Sequence, residues 1–157
     1  MDGYRSVLPD VTTDDVIGNC FSVVSYDVNE REIATKDELK AFRQRLNNMG
    51  IALYLDFVPN HSAVENPLVS SCPQCYVKGD FKDGSKQYTN GIYFARDKYG
   101  STWSDMLQFN YWNPDTIKAR IQDLMKVAEL ADGVRCDVAM LGLDKEFDDM
   151  WGSIVRP

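Results

Sequence analysis

The chain has 157 residues, with 17 basic and 24 acidic side chains, a formal net charge of −7 and a hydrophobic content of 44%. Those proportions fit a folded globular domain and exclude a collagen-like repeat, a coiled coil or a disordered tail. The acidic balance argues against nucleic-acid and anionic-membrane partners, which need a basic face. A complete (β/α)8 barrel is also excluded, because it needs about 200 residues or more.

The opening Met1-Asp2-Gly3-Tyr4-Arg5 lacks the charged-then-apolar order of a secretory signal, so a cytoplasmic location is expected. Residues 1–34 carry turn signals without periodicity and read as mostly loop. Thr35 followed by Glu38 is a capping box, which satisfies two orphaned backbone donors at a helix start. Leu39, Phe42, Leu46 and Met49 then mark one helical face, and Gly50 is placed to end the helix. The run from Ile51 to Val58 is apolar on both alternating faces, as in a strand covered on both sides, and Pro59 stops it.

Residues 60–112 form a long excursion with no sustained period, which is usually functional or a small subdomain. Within it, Cys72-Pro73-Gln74-Cys75 is a lone C-x-x-C. A redox pair should follow a strand and open a helix, and a zinc site needs two more ligands. Only Cys20, Cys136 and His61 remain for that, at irregular spacing, so the expected reading is a loop carrying two cysteines, without a disulfide framework.

Regularity returns at Asn113-Pro114, a cap followed by proline at the first helical position. The spacing predicts a helix burying Ile117, Ile121, Leu124, Met125 and Ala128, ended by Asp132-Gly133. A second strand is predicted over Val134 to Leu141, and a short helix around Phe147 and Trp151. Strands alternating with helices imply an α/β fold with parallel strands.

Both predicted strands carry charge where a buried strand should be apolar: Asp56 on the first, Arg135 and Asp137 on the second. An unpartnered buried carboxylate costs several kcal/mol, so such groups persist when paired or functional. In α/β folds the C-terminal edge of the parallel strands is where ligands bind. From spacing alone, an active site and a structural Arg135–Asp137 pair are equally good readings. His61, the only histidine, directly follows Asp56-Phe57-Val58-Pro59-Asn60.

These residues also carry a family resemblance. Asp56-Phe57-Val58-Pro59-Asn60-His61 resembles the D-x-x-x-N-H segment after the third barrel strand of the α-amylase family, glycoside hydrolase family 13. Gly133-Val134-Arg135-Cys136-Asp137 resembles its G-x-R-x-D segment on the fourth strand. Between them, the stretch from Leu107 to Pro114 is similar to the passage from the inserted B domain into the third helix.

The resemblance implies an α/β fold that is part of a (β/α)8 TIM barrel, with an irregular insertion after the third strand. Residues 1–58 would be one barrel segment, 59–112 a B-domain-like insertion, and 113–157 a second barrel segment. It implies a retaining hydrolase acting on α-glucosidic bonds, with an α-glucan or maltooligosaccharide as substrate. Asp137 matches the nucleophile and Arg135 the arginine that aims it; His61 and Asp56 match positions lining the sugar subsite. Asn60 matches a position that contributes to a calcium site in many members. Tyr88, Tyr93, Trp103, Tyr111 and Trp112 could stack on sugar rings, although core packing is the expected use of each.

The departures are informative. The family's general acid is a glutamate after the fifth strand, and Glu146 comes too soon to match it, so the acid is expected to be missing from these 157 residues. Met140 and Leu141 stand where a sugar-binding Lys or His often follows the nucleophile. Gln108 stands where many members carry an aspartate, which weakens the case for calcium, a cation favouring charged oxygen ligands. A transglycosylase or isomerase of the same family, a non-catalytic carbohydrate-binding remnant, and a flavodoxin-like domain with a redox cysteine pair remain the alternatives.

Overall fold

The structure, a computed structural model, describes residues 5–12, 15, 18–79, 88–97, 99 and 101–139. The tail helix expected around Phe147 and Trp151, together with Met140, Leu141 and Glu146, lies outside the described residues. Helix α1 spans Lys36–Asn48 and strand β1 spans Tyr54–Phe57. Next come β2 (His61–Ala63), the short helix α2 (Leu68–Ser71), β3 (Phe94–Arg96), β4 (Thr102–Gln108), helix α3 (Pro114–Leu130) and β5 (Gly133–Cys136).

Each helix starts as the sequence dictates. The Thr35 side chain accepts from the Glu38 N–H while Glu38 reaches back to Thr35, a complete capping box. Asn113 caps α3 by accepting from the Asp115 N–H, with Pro114 at the first helical position, where a missing N–H costs nothing. Gly50 closes α1 at φ 75°, a left-handed conformation that a side chain would strain.

Two sheets result. β1 and β5 pair in parallel, with Asp56 opposite Arg135 and Phe57 opposite Cys136. β2, β4 and β3 form a separate three-stranded antiparallel sheet, with His61 opposite Gln108. The described part of the excursion thus contains a small sheet. Its β2 and β3 are three residues long, too short to display an alternating pattern in the sequence. It also holds a buried apolar cluster of Cys75, Tyr76, Ile92, Leu107 and Phe109.

The second strand ends at Cys136, with Asp137 to Ala139 in a turn, and four further expectations are corrected. The first strand is four residues and is not covered on both faces, since Tyr54 and Asp56 are exposed. The face of α1 is only partly covered among the described residues, with Phe42 and Met49 exposed and Leu39 and Leu46 half-buried. The buried stripe of α3 is Thr116, Arg120, Val127 and Leu130, whereas Met125 and Ala128 are exposed and Ile117, Ile121 and Leu124 half-buried. Finally, Cys72 and Cys75 form a disulfide, between α2 and the 3-10 turn Pro73–Cys75.

The α3 stripe is rotated because an arginine lies in it. The Arg120 side chain is 1% exposed, with its guanidinium over the rings of Phe109, Phe57 and Tyr26 at 4.6, 4.9 and 5.2 Å and ion-paired with Asp123 at 2.8 Å. A polar residue at that position hides the stripe from an apolar periodicity count.

Candidate active site

The C-terminal ends of β1 and β5 place the charged residues together. The Arg135 guanidinium donates from Nη1 to Asp56 Oδ2 at 2.5 Å and from Nη2 to Asp137 Oδ1 at 2.8 Å. Opposite pairing of residues 56 and 135 in a parallel ladder puts both on one face, so the fork geometry of arginine can span the two carboxylates. Asp137 continues the ladder by one bond, its N–H donating to the Phe57 carbonyl at 2.9 Å. The chain then turns at Val138, whose φ of 47° is uncommon for a β-branched residue.

These charges are less buried than the sequence pattern implied. Arg135 and Asp56 side chains are 60% and 50% exposed, and only Asp137, at 17%, is largely covered. The face they share is open to solvent, so their pairing needs no deep desolvation.

His61 begins β2, four residues after β1 ends, and is buried. Nε2 faces the Phe21 carbonyl at 3.3 Å, Nδ1 faces Asn60 Nδ2 at 3.2 Å, and the Trp103 ring approaches edge-on with centroids 5.4 Å apart. Burial pushes the imidazole below its ordinary value, while the charges of Asp105 and Asp137 act in the opposite sense. His61 thus lies within electrostatic reach of Asp137 but is covered by the Phe21 backbone.

The covering segment is held in place. The Asn19 side chain donates to Asp105 Oδ2 at 2.9 Å, Ser22 Oγ donates to the Asp105 carbonyl at 2.8 Å, and the Ala63 N–H donates to the Val23 carbonyl at 2.9 Å. Two phenols clamp the stretch between β1 and β2. The Tyr26 hydroxyl accepts from the Val58 N–H at 2.8 Å and donates to the Val58 carbonyl at 3.3 Å, and the Tyr111 hydroxyl donates to the Pro59 carbonyl. Burial raises the pKa of both phenols, which keeps them protonated donors.

Asn60 is 1% exposed, and its Oδ1 already accepts from Gln108 Nε2 at 3.1 Å. No cluster of three His, Cys, Asp or Glu side chains that could hold a metal occurs among the described residues. The oxygens gathered beside Asn60 are uncharged and already face the Gln108 amide nitrogen, so the residues around Asn60 do not fit calcium, a cation favouring charged oxygens.

Of the aromatic candidates, Tyr93 is buried, Tyr88 packs against Phe94, and Tyr111 packs against Phe109. Trp103 meets His61, and Trp112 is exposed. Tyr26, Phe21 and Arg120 were missed by sequence reading. Tyr26 sits in a stretch without periodicity, and a buried arginine on a helix carries no local signal.

No protein-family model matches the chain, and no curated protein matches it. Solved structures do. An α-amylase from Lactobacillus plantarum superposes with TM-score 0.69 at 24% identity, over 88% of this chain and 29% of that one. A maltogenic α-amylase from Thermotoga neapolitana gives TM-score 0.62 at 28% identity, over 88% and 29%. A cyclic α-maltosyl-(1→6)-maltose hydrolase from Arthrobacter globiformis, in complex with maltose, gives 0.61 at 17% identity, over 87% and 32%. The resemblance to the α-amylase family therefore holds in three dimensions, and the chain spans about 30% of the length of these neighbours. No described helix is long and apolar enough to cross a membrane.

Proposed function

We propose that this chain is part of a retaining glycoside hydrolase acting on α-glucosidic bonds, with an α-glucan or maltooligosaccharide substrate. The observation that carries the reading is the Arg135 fork joining Asp56 and Asp137 at the shared end of two parallel strands. Retention needs two carboxyl groups about 5–5.5 Å apart, one attacking the anomeric carbon and one protonating the leaving oxygen. Asp137 is the nucleophile in this reading, and Arg135 holds it on axis. Asp56 takes the second arm of the fork, which fixes the guanidinium plane. A sugar hydroxyl replaces the Phe21 carbonyl as the acceptor for His61. The stretch 59–112, with its three-stranded sheet, is then the inserted B domain, between barrel segments 1–58 and 113–157.

In this reading the general acid is not among these 157 residues. General acid catalysis contributes about 10²–10⁴-fold, so the chain alone is expected not to hydrolyse maltotetraose, whose leaving oxygen needs a proton. Sugar recognition is tested through the single histidine. Saturating maltotetraose is expected to shift the His61 imidazole proton resonances in the wild type and not in Asp137→Ala. No shift in the wild type would contradict the reading.

A further inference from the structure

Gln108 is opposite His61 in the β2–β4 ladder, and its side chain turns back onto Asn60. Nε2 lies 2.9 Å from the Asn60 carbonyl, 3.1 Å from Asn60 Oδ1 and 3.5 Å from the Phe109 carbonyl. Three oxygens around one atom identify it as the amide nitrogen, since a carbonyl oxygen there would meet only acceptors. The orientation of Asn60 then follows. Its Oδ1 must face the Gln108 donor, so its Nδ2 faces His61 Nδ1 at 3.2 Å. A donor facing Nδ1 requires that nitrogen to be bare. The other end of the ring gives the same answer independently, because the Phe21 carbonyl facing Nε2 can only accept.

We propose that Gln108 is a positioning residue that, through Asn60, fixes His61 in the tautomer with its proton on Nε2, and that it does so without a metal ion. The two hydrogens of one amide cross-tie the backbone and side-chain oxygens of Asn60, so the chain's own amide supplies the positive end that a cation would otherwise have to supply. The order of the relay is Gln108 to Asn60 to His61, ending with an N–H aimed out of the ring at an oxygen. Its consequence for catalysis rests on the proposed sugar site: the N–H now given to Phe21 is the one a sugar hydroxyl would receive. The proton arrangement itself does not depend on that reading.

The test uses the full chain labelled with ¹⁵N, in which His61 is the only histidine, and two-bond ¹H–¹⁵N correlation of the imidazole well above the ordinary histidine pKa of about 6.5. The expected spectrum shows a protonated Nε2 and a bare Nδ1, unchanged by calcium chloride or by a chelator. In Gln108→Glu, an isosteric change that leaves only acceptors toward Asn60, the Asn60 amide reverses and its oxygen competes with the Phe21 carbonyl for the ring proton, so Nδ1 shifts measurably toward the protonated range. A wild-type ring protonated on Nδ1, a spectrum that responds to calcium, or an unaltered Nδ1 in folded Gln108→Glu would overturn the proposal. Should that variant not fold, Asn60→Asp removes the Nδ2 donor and gives the same readout, with an unaltered Nδ1 again the contrary result. Adding maltotetraose to the same sample separates the two ideas, since the tautomer can be as stated while no sugar-induced shift occurs.

Discussion

The guanidinium of Arg120 lies 4.6 Å from the ring centroid of Phe109 and is ion-paired with Asp123, with 1% of its side chain exposed. It thereby links α3 to the sheet of the excursion through Phe109 and to β1 through Phe57. Removing one member of a buried pair costs about 3–5 kcal/mol, because the other charge is left unmatched. Arg120→Ala should therefore lower the unfolding free energy in urea by about 3 kcal/mol. Arg120→Met keeps the apolar stem against the rings and should cost less. Equal losses for the two variants would show that packing of the stem is not what the position uses.

His61 should govern stability near neutral pH. Burial lowers its folded pKa from 6.5, so the unfolded chain takes up the proton more readily. Stability is thus fully present above about 6.5 and is lost as the pH falls below that toward the folded value. Asp105 and Asp137 oppose this shift, and Arg120 adds to it. The melting temperature of the wild type should fall over that window, and His61→Gln should lose that part of the slope. An unchanged slope in His61→Gln would contradict the burial of a neutral ring.

A second pH window lies in acid and concerns how α1 meets α3. Lys36 and Lys40 donate to the two oxygens of Glu129 at 2.7 and 2.9 Å and hold its carboxyl at about 2, well below 4.5. The folded pKa is the depressed one, so this contribution is present above about 4.5 and is lost as the pH falls to about 2. All three side chains are more than 40% exposed, so added salt should screen the bridge. Glu129→Gln should flatten the melting temperature between those pH limits and remove the salt effect there.

The Cys72–Cys75 bridge predicts a thiol count. Cys20 and Cys136 are free, so two thiols should titrate in the unfolded, unreduced chain and four after reduction. Closing so short a loop is worth about 2 kcal/mol by the chain-entropy relation. Reductant should therefore lower the unfolding free energy by that amount. The Cys75 carbonyl accepts from the Asn110 N–H at 2.8 Å and from Thr116 Oγ1 at 3.2 Å, so the loss should be felt at the start of α3. Four reactive thiols before reduction would contradict the pairing.

What could be read from the sequence divides along physical lines. Thr35 with Glu38, Asn113 with Pro114, and Gly50 act through bonds to their own neighbours, so their helix boundaries were legible. Asp56 and Arg135 stood out because charges interrupt two apolar runs, and the structure pairs them in register. The packing of Arg120 on Tyr26 and Phe57, the clamp of Tyr26 on Val58 and the Phe21 carbonyl over His61 join residues 32 to 94 positions apart. No local pattern encodes such contacts. The disulfide was missed for a different reason: the expectation rested on chain size and compartment, whereas the turn through Pro73 brings the two cysteines to a Cα separation of 5.4 Å.

The most direct measurement asks whether Asp137 attacks a sugar. A fluorinated α-glucosyl fluoride expels fluoride without needing a proton, so if Asp137 is the nucleophile, as proposed, the chain should react once and stop even without an acid. Digestion and mass spectrometry should find a single glycosyl adduct on the peptide containing Asp137, absent from Asp137→Asn and diminished in Arg135→Met. An adduct on another carboxylate, or none on the wild-type chain, would contradict the account.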